Sequence, residues 1–312
     1  MIEKTEPKPG SQILSRRRAL QLAGTSAAAG LAALLWTRTR ETQGSHPGKA
    51  SSRRVEGTLS PVRSRQQVPG NSPNIIFILG DNHNAETMGC AGHPFIQTPG
   101  LDRLASEGLL FKNTFNTTSL CSPSRASILT GAYAHHHGVK NNHTPWTGQM
   151  TSFLEYLSLG GYATAFIGKW HMPGEGLPEM PLLDLFVSYT YREGQGAYFN
   201  CPMIVNGQEV PSRTAYISEE ITDYAIEFMQ ENLAQGEENR RPFCIYLSHR
   251  AGHPPFQSPE GIAGMYEDAD VEGILPDQVD PWWYGKSNGN VFQGVMMGSY
   301  YNQYRRYCET LT

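Results

Sequence analysis

The stretch Asn74-Ile75-Ile76-Phe77-Ile78-Leu79-Gly80 is apolar at every position between its polar first residue and its closing glycine. A continuous apolar run of this length is typical of a β-strand that is buried on both faces. Residues 162–167 and 243–247 form comparable runs and predict two further strands. The three runs are separated by more than enough chain to place a helix between successive strands.

Helical patterns fill those intervals. Thr98-Pro99 opens a predicted helix that Gly108 closes, and a second one, Phe153–Leu159, precedes two glycines. Ile217–Leu233 repeats apolar residues at the helical period, and residues 296–311 predict an aromatic-rich helix. Because strands and helices alternate, the sequence favours a three-layer α/β domain with a largely parallel sheet. Ligands of such sheets bind beyond the carboxyl ends of the strands.

Charge and cysteine content exclude some classes of protein. The formal net charge of -4 and the pI near 6.2 argue against a nucleic-acid partner. The chain has five cysteines and no C-x-x-C pair, so neither a zinc ribbon nor a thioredoxin-type site is indicated. Disulfides among these cysteines remain open from the sequence.

The first residues have the pattern of an export signal. Ser15-Arg16-Arg17-Arg18-Ala19-Leu20 resembles a twin-arginine motif, and residues 19–36 carry no charge. We predict a twin-arginine-type export signal over 1–37, a flexible linker over 38–72 and a periplasmic or secreted protein that uses the twin-arginine export machinery. An uncleaved membrane anchor and a disordered basic tail are the alternatives.

Polar residues follow each predicted strand. Asp81 and Asn82 follow the first, Lys169 and His171 the second, and His253 the third. Each group has a structural alternative: Asp-Asn is a common turn, and a lysine or histidine after a strand can simply be solvated or packed. Since the carboxyl ends of parallel strands share one edge, we expect these side chains to lie together.

The run Cys121-Ser122-Pro123-Ser124-Arg125 continues as Ala126-Ser127-Ile128-Leu129-Thr130-Gly131. A lone cysteine is most often a buried structural thiol. Arg125 would lie one helical turn after Cys121 on the same helix face. This run, together with the three strand-end groups, resembles the signature of the type I, formylglycine-dependent sulfatase family.

The resemblance covers residues 73–312 and implies an alkaline-phosphatase-like sulfatase domain. Only the N-terminal part of the family's catalytic domain is matched, so the predicted domain is C-terminally incomplete (truncated). Within the match, Asp81 agrees with the family pattern, whereas Asn82 stands where a second aspartate is usual.

The family's chemistry carries over to individual residues. It implies that a formylglycine-generating maturation enzyme converts Cys121 to formylglycine, whose hydrate is the nucleophile. It further implies that Arg125 orients this residue, that Lys169 contacts sulfate, that His171 takes the hydrate's second proton, and that His253 binds or protonates the bridging oxygen.

The family also implies one Ca²⁺ or Mg²⁺ ion, held by Asp81, Asn82 and residue 121. The function expected from the resemblance is a sulfuric ester hydrolase that cleaves aryl or carbohydrate sulfates, with a sulfated small molecule or glycan as substrate. A phosphonate or phosphate ester hydrolase of the same clan is the alternative enzyme. An inactive, truncated sulfatase remnant is the non-enzymatic alternative, and Asn82 favours it because an amide ligand is uncharged.

Overall fold

A computed structural model of the protein describes residues 72–174, 177–178, 180–190, 194–271, 274 and 300–312. The predicted export signal over 1–37 lies outside these residues, as does the predicted linker over 38–72 except for Ser72. Among the described residues, no helix has the length and apolar character needed to cross a membrane.

The described residues form a six-stranded sheet in the order β1-β6-β2-β3-β4-β5. Its strands are β1 Ile75–Leu79, β2 Ala163–Gly168, β3 Leu185–Tyr189, β4 Met203–Val205, β5 Gln208–Val210 and β6 Phe243–Ser248. The pairings β1–β6, β6–β2 and β2–β3 are parallel, which confirms the predicted, largely parallel sheet. The antiparallel hairpin of β4 and β5 extends it. Asn206-Gly207 turns this hairpin with φ of 47° and 82°, a typical two-residue turn.

Helices lie on both faces of this sheet. They are α1 Pro99–Glu107, α2 Cys121–Thr130, α3 Ala134–His137, α4 Phe153–Leu159, α5 Ile217–Leu233 and α6 Tyr300–Leu311. The helices predicted from the sequence are confirmed, although residues 296–299 of the last one lie outside the described part of the chain. The capping box of Ser152 and Glu155 fixes the start of α4.

Successive side chains of the central strands enter two separate cores. Ala165 and Ile167 of β2 pack in the core that also contains Ile221 of α5. Phe166, between them, packs in the opposite core with Leu129 of α2 and with residues of α4. Because the side chains of β2 alternate between the two faces of the sheet, the sheet packs against helices on both sides, which gives the three predicted layers.

The prediction that the first strand is buried on both faces is wrong for β1. Ile76 is 48 % exposed and Ile78 57 % exposed, whereas Phe77 stacks on Tyr246 with 5.0 Å between ring centroids. β1 is at the edge of the described sheet, and the face that carries Ile76 and Ile78 lines a pocket together with Leu101 and Leu104 of α1. An apolar run reports the hydrophobicity of both faces of a strand but not which element covers each face.

Candidate active site

The carboxyl ends of β1, β2 and β6 bring the predicted site residues together. The backbone N–H of Asp81 donates to the carbonyl of Ala251 at 3.1 Å, which ties the loop after β1 to the loop after β6. The N–H of Lys169, after β2, donates to the carbonyl of Ser248 at 2.8 Å. Three parallel strands thus end in three loops that are hydrogen-bonded to one another.

Two glycines permit this close approach of the loops. Gly168 has a φ of 110°, and a Cβ atom there would lie 2.1 Å from the carbonyl oxygen of Ser248. Gly252 has a φ of 87°, and its Cβ would lie 2.4 Å from the carbonyl oxygen of Asp81. Both the positive φ and the lack of space require glycine at these positions.

Three charged side chains are buried at the centre of the site. Asp81, Arg125 and Lys169 are 5 %, 3 % and 0 % exposed. Lys169 Nζ forms an ion pair with Asp81 Oδ2, and Arg125 Nη2 lies 3.5 Å from Asp81 Oδ1. Burial disfavours the carboxylate, but the charges of Lys169 and Arg125 outweigh burial and hold the pKa of Asp81 at about 2. Burial lowers the pKa of Lys169 to about 8 despite the attraction of Asp81.

Arg125 is held by two further acceptors. Its Nη1 donates to the carbonyl of Lys169 at 2.7 Å and to Ser248 Oγ at 2.6 Å, while Ser248 Oγ donates to the same carbonyl at 2.9 Å. Sequence reasoning missed Ser248. The only available signal was its position as the last residue of β6, since a serine there is otherwise unremarkable.

Cys121 is the first residue of α2 and is half-buried. Next to it, the N–H of Ser122 donates to Asn142 Oδ1 at 3.0 Å, and Ser122 Oγ donates to the carbonyl of His171 at 2.8 Å. The start of α2 is therefore fastened to the loop that carries His171. Arg125 lies on the next turn of α2, as predicted.

The two predicted catalytic histidines are held in the neutral state at pH 7. Burial, together with Lys169 and Arg125, lowers the pKa of His171 to about 3. Burial and the charge of Lys169 lower the pKa of His253 to about 4. His253 Nδ1 lies 2.5 Å from the carbonyl oxygen of Pro254, so Nδ1 carries the proton and Nε2 presents its lone pair.

Three donor atoms of the site lie close enough to share one ion. A carboxylate oxygen of Asp81, Sγ of Cys121 and a ring nitrogen of His253 are all within 4.8 Å of one another. Calcium takes six or more oxygen ligands, and magnesium requires an octahedral oxygen shell. Since this cluster has one carboxylate, the described residues do not complete a calcium or magnesium site by themselves.

Asn82 differs from Asp81 in its surroundings. It is exposed and has a φ of 59°, and its backbone carbonyl accepts a hydrogen bond from Tyr307 Oη at 3.0 Å. Tyr307 Oη also accepts from the N–H of Asn84 at 2.8 Å, and Thr310 Oγ1 accepts from the N–H of Gly252 at 3.2 Å. Helix α6 thus holds two loops of the site. The role of Asn82 as a metal ligand stays a prediction.

Several other histidines and the remaining cysteines have separate surroundings. His137 is buried and its Nε2 lies 3.0 Å from Ser127 Oγ, while His135 and His136 are exposed. Burial lowers the pKa of His249 to about 4, which agrees with a packed structural histidine. All five cysteines are free thiols.

Comparisons with known proteins find sulfatases among the similar sequences and structures. N-acetylglucosamine-6-O-sulfatase from Bacteroides thetaiotaomicron is 33 % identical over 196 residues, which cover 63 % of this chain and 33 % of that protein. The solved complex of BT4656 with its substrate, D-glucosamine-2-N,6-O-disulfate, is 31 % identical with a TM-score of 0.58, covering 67 % of this chain and 40 % of that one.

A more distant structure shares the fold alone. The phosphonate monoester hydrolase of Agrobacterium radiobacter has a TM-score of 0.51 at 20 % identity, over 77 % of this chain and 56 % of that one. The chain spans between a third and three fifths of the length of these relatives. The sulfatase family profile matches residues 73–312. The chain therefore belongs to the sulfatase family, whose domain has the alkaline-phosphatase-like fold.

Proposed function

We propose that the protein hydrolyses sulfate esters at Cys121, with a sulfated carbohydrate as the preferred class of substrate and an aryl sulfate as the second. The observation that carries this proposal is the charge balance of the site. Two buried cations, Lys169 and Arg125, face a single buried carboxylate, Asp81. Buried charges require counter-charges, so the site favours a further anion such as the sulfate group of a substrate.

The carbohydrate class rests on the relatives. The 33 % identical relative is named as an N-acetylglucosamine-6-O-sulfatase, and the 31 % identical structure holds a sulfated glucosamine. This chain covers 33 % of the first relative and 40 % of the second. The proposed substrate class therefore rests on this similarity and on the charge of the site together.

Residue 121 is a thiol in this structure, and its Sγ marks the position of the nucleophile. After conversion to formylglycine, the residue supplies an aldehyde hydrate that attacks sulfur and later releases sulfate. Lys169 and Arg125 supply positive charge that stabilises the negative charge of the sulfate oxygens. Arg125 itself is fixed by Ser248, so that its charge stays in place during the reaction.

The two neutral histidines can take part in proton transfer. His171 and His253 both have pKa values well below 7, so each begins with a bare ring nitrogen that can accept a proton. The negative charge of a bound sulfate opposes the effect of Lys169 on His253 and favours its protonated form. His253 Nε2 can then give its proton to the ester oxygen of the departing alcohol.

We also propose a resident Ca²⁺ or Mg²⁺ ion at Asp81, with Asn82 and residue 121 as further ligands. Support for it comes from the family and from the convergence of Asp81, Cys121 and His253. The described residues fall short of a complete oxygen shell, and the roles proposed above for the side chains do not depend on this ion.

The decisive experiment uses the full 312-residue chain, produced with and without a formylglycine-generating enzyme. Peptide mass at residue 121 measures conversion, and sulfate release is followed on N-acetylglucosamine 6-sulfate and 4-nitrophenyl sulfate. Sulfate release in proportion to conversion supports the proposal. Full conversion without any release contradicts it and favours an inactive remnant. Faster hydrolysis of a matched aryl phosphate or phosphonate would favour the phosphorus-ester alternative.

We further propose that the protein is exported through the twin-arginine route to the periplasm or beyond. The support is the triplet Arg16-Arg17-Arg18 before an uncharged segment. Replacing all three arginines with lysine keeps the charge but removes the guanidinium groups, and the full chain should then stay in the cytoplasm. Unchanged periplasmic yield of this triple variant would exclude the route.

A further inference from the structure

Arg250 is a buried cation whose partners are unusual. It is 5 % exposed, and among the described residues it forms no ion pair with a carboxylate. Its Nη1 donates to the carbonyl of Gln195 at 3.0 Å and its Nη2 to the carbonyl of Pro254 at 3.1 Å. Its guanidinium carbon lies 5.0 Å from the ring centroid of Tyr198. Burying a charge this deeply is costly, so the contacts point to a specific role.

Both carbonyls that Arg250 holds belong to residues that contact His253. Pro254, whose carbonyl oxygen binds Arg250 Nη2, also faces His253 Nδ1 at 2.5 Å. Gln195, whose carbonyl binds Arg250 Nη1, directs its side-chain Nε2 to His253 Nε2 at 3.5 Å. A carbonyl oxygen has two lone pairs, so Pro254 can accept from Arg250 and His253 together.

The surrounding backbone closes this network. Tyr198 Oη lies 2.7 Å from the carbonyl oxygen of His253 and 3.1 Å from that of Arg250. Gln195 stands between Gly194 and Gly196, whose φ values are 80° and 78° and which leave no room for a Cβ atom. The two groups that contact the ring of His253 therefore belong to closely packed and hydrogen-bonded segments of the backbone.

We propose that Arg250 is a positioning residue that sets the tautomer and orientation of His253. By holding Pro254 and Gln195 on opposite sides of the ring, Arg250 keeps the proton on Nδ1 and leaves Nε2 as an acceptor directed into the site. The inference rests on the proposed function only in that His253 takes part in the reaction. The tautomer itself is a property of the resting protein and needs no turnover.

The test is nitrogen-15 NMR of the full chain with labelled histidine at a fixed neutral pH. A His253→Gln variant assigns the signals of His253. The wild type should show a protonated Nδ1 and an unprotonated Nε2, whereas a free histidine side chain favours the opposite tautomer in water. Observation of a protonated Nε2 in the wild type overturns the proposal without the need for any variant.

Arg250→Met removes both hydrogen bonds while keeping the length of the side chain. We expect the His253 signals to shift toward the opposite tautomer, and kcat on converted protein to fall about 10- to 100-fold with KM changed by less than about threefold. Arg250→Lys keeps the charge but cannot bridge two carbonyls, and should give an intermediate result.

Arg213→Met is the matched control. Arg213 also lies over a tyrosine ring, 3.7 Å from the centroid of Tyr224, but its charge is paired with Glu227 outside the site. This variant should leave the His253 signals and kcat unchanged. A folded Arg250→Met protein with the wild-type tautomer, or an equal shift in the Arg213 control, would refute the positioning role.

Discussion

Ser248→Ala tests whether Arg125, a proposed catalytic residue, depends on one hydroxyl group. Ser248 is fully buried at the end of β6, and its Oγ both accepts from Arg125 Nη1 at 2.6 Å and donates to the carbonyl of Lys169 at 2.9 Å. Alanine removes both hydrogen bonds and leaves a space the size of one oxygen atom. Arg125 keeps its other contact with the carbonyl of Lys169, so the helix as a whole should stay in place.

The magnitude follows from the two bonds. A hydrogen bond to a charged group contributes about 1.5–3 kcal/mol and a neutral one about 1 kcal/mol, so we expect the free energy of unfolding to fall by about 3 kcal/mol. With an m-value of roughly 3 kcal/mol/M for a domain of this size, the urea midpoint falls by roughly 1 M. Turnover should also fall, because a looser guanidinium stabilises the transition state less well.

Ser188→Ala is the control for this experiment. Ser188 of β3 is also fully buried, but its Oγ has no hydrogen-bond partner within the described parts of the chain. Its replacement should change the free energy of unfolding by no more than about 0.5 kcal/mol, because no hydrogen bond is lost. Urea unfolding of both variants, monitored by tryptophan fluorescence, decides the matter. Equal midpoint shifts in the two variants would show that the Ser248 contacts do not stabilise the site.

Three further predictions concern single side chains. Cys121→Ala should abolish sulfate release while the melting temperature stays within a few degrees, because the lost side chain is small; calorimetry and the sulfatase assay check this. Tyr307→Phe should cost about 1–2 kcal/mol and speed hydrogen exchange of the Asn84 amide, which loses its acceptor. The free energy of unfolding should fall between pH 7 and pH 5 by about 2 kcal/mol less in His249→Gln than in the wild type. Burial lowers the folded pKa of His249 to about 4, so its contribution is present above 6.5 and is lost as the pH falls. An unchanged acid profile in the urea midpoint would contradict the last prediction.

The sequence predicted three of the six strands, β1, β2 and β6, and the meeting of their strand-end residues, because both follow from local patterns. Continuous apolar runs located β2 and β6, and parallel connections then require that Lys169 and His253 share one edge. The exposed face of β1 could not be predicted, since strand order depends on which elements lie beside it. The short hairpin had a readable signal in Asn206-Gly207.

The supporting residues of the site were harder to predict than the charged ones. Ser248 and Tyr198 act through a single oxygen each, and their partners, which are backbone carbonyls and the guanidinium of Arg125, are up to 123 positions away. No residue pattern marks such contacts. Arg250 follows a strand end, as Lys169 does, but its guanidinium contacts the protein itself. The sequence does not show how deeply an arginine is buried, so it could not indicate whether Arg250 contacts a ligand or the protein.

The hydrogen bond from Tyr307 to the carbonyl of Asn82 joins residues 225 positions apart. At a synthesis rate of about 5–20 residues per second, roughly 10 to 45 s pass between the emergence of one partner and that of the other. In the later part of this interval the ribosome-bound chain contains Asp81, Cys121 and Lys169 but not the helix that fastens the loop after β1. The loop must therefore reach its final geometry late, and a nascent chain that stalls before Tyr307 should carry a site whose side chains are present but not yet fixed.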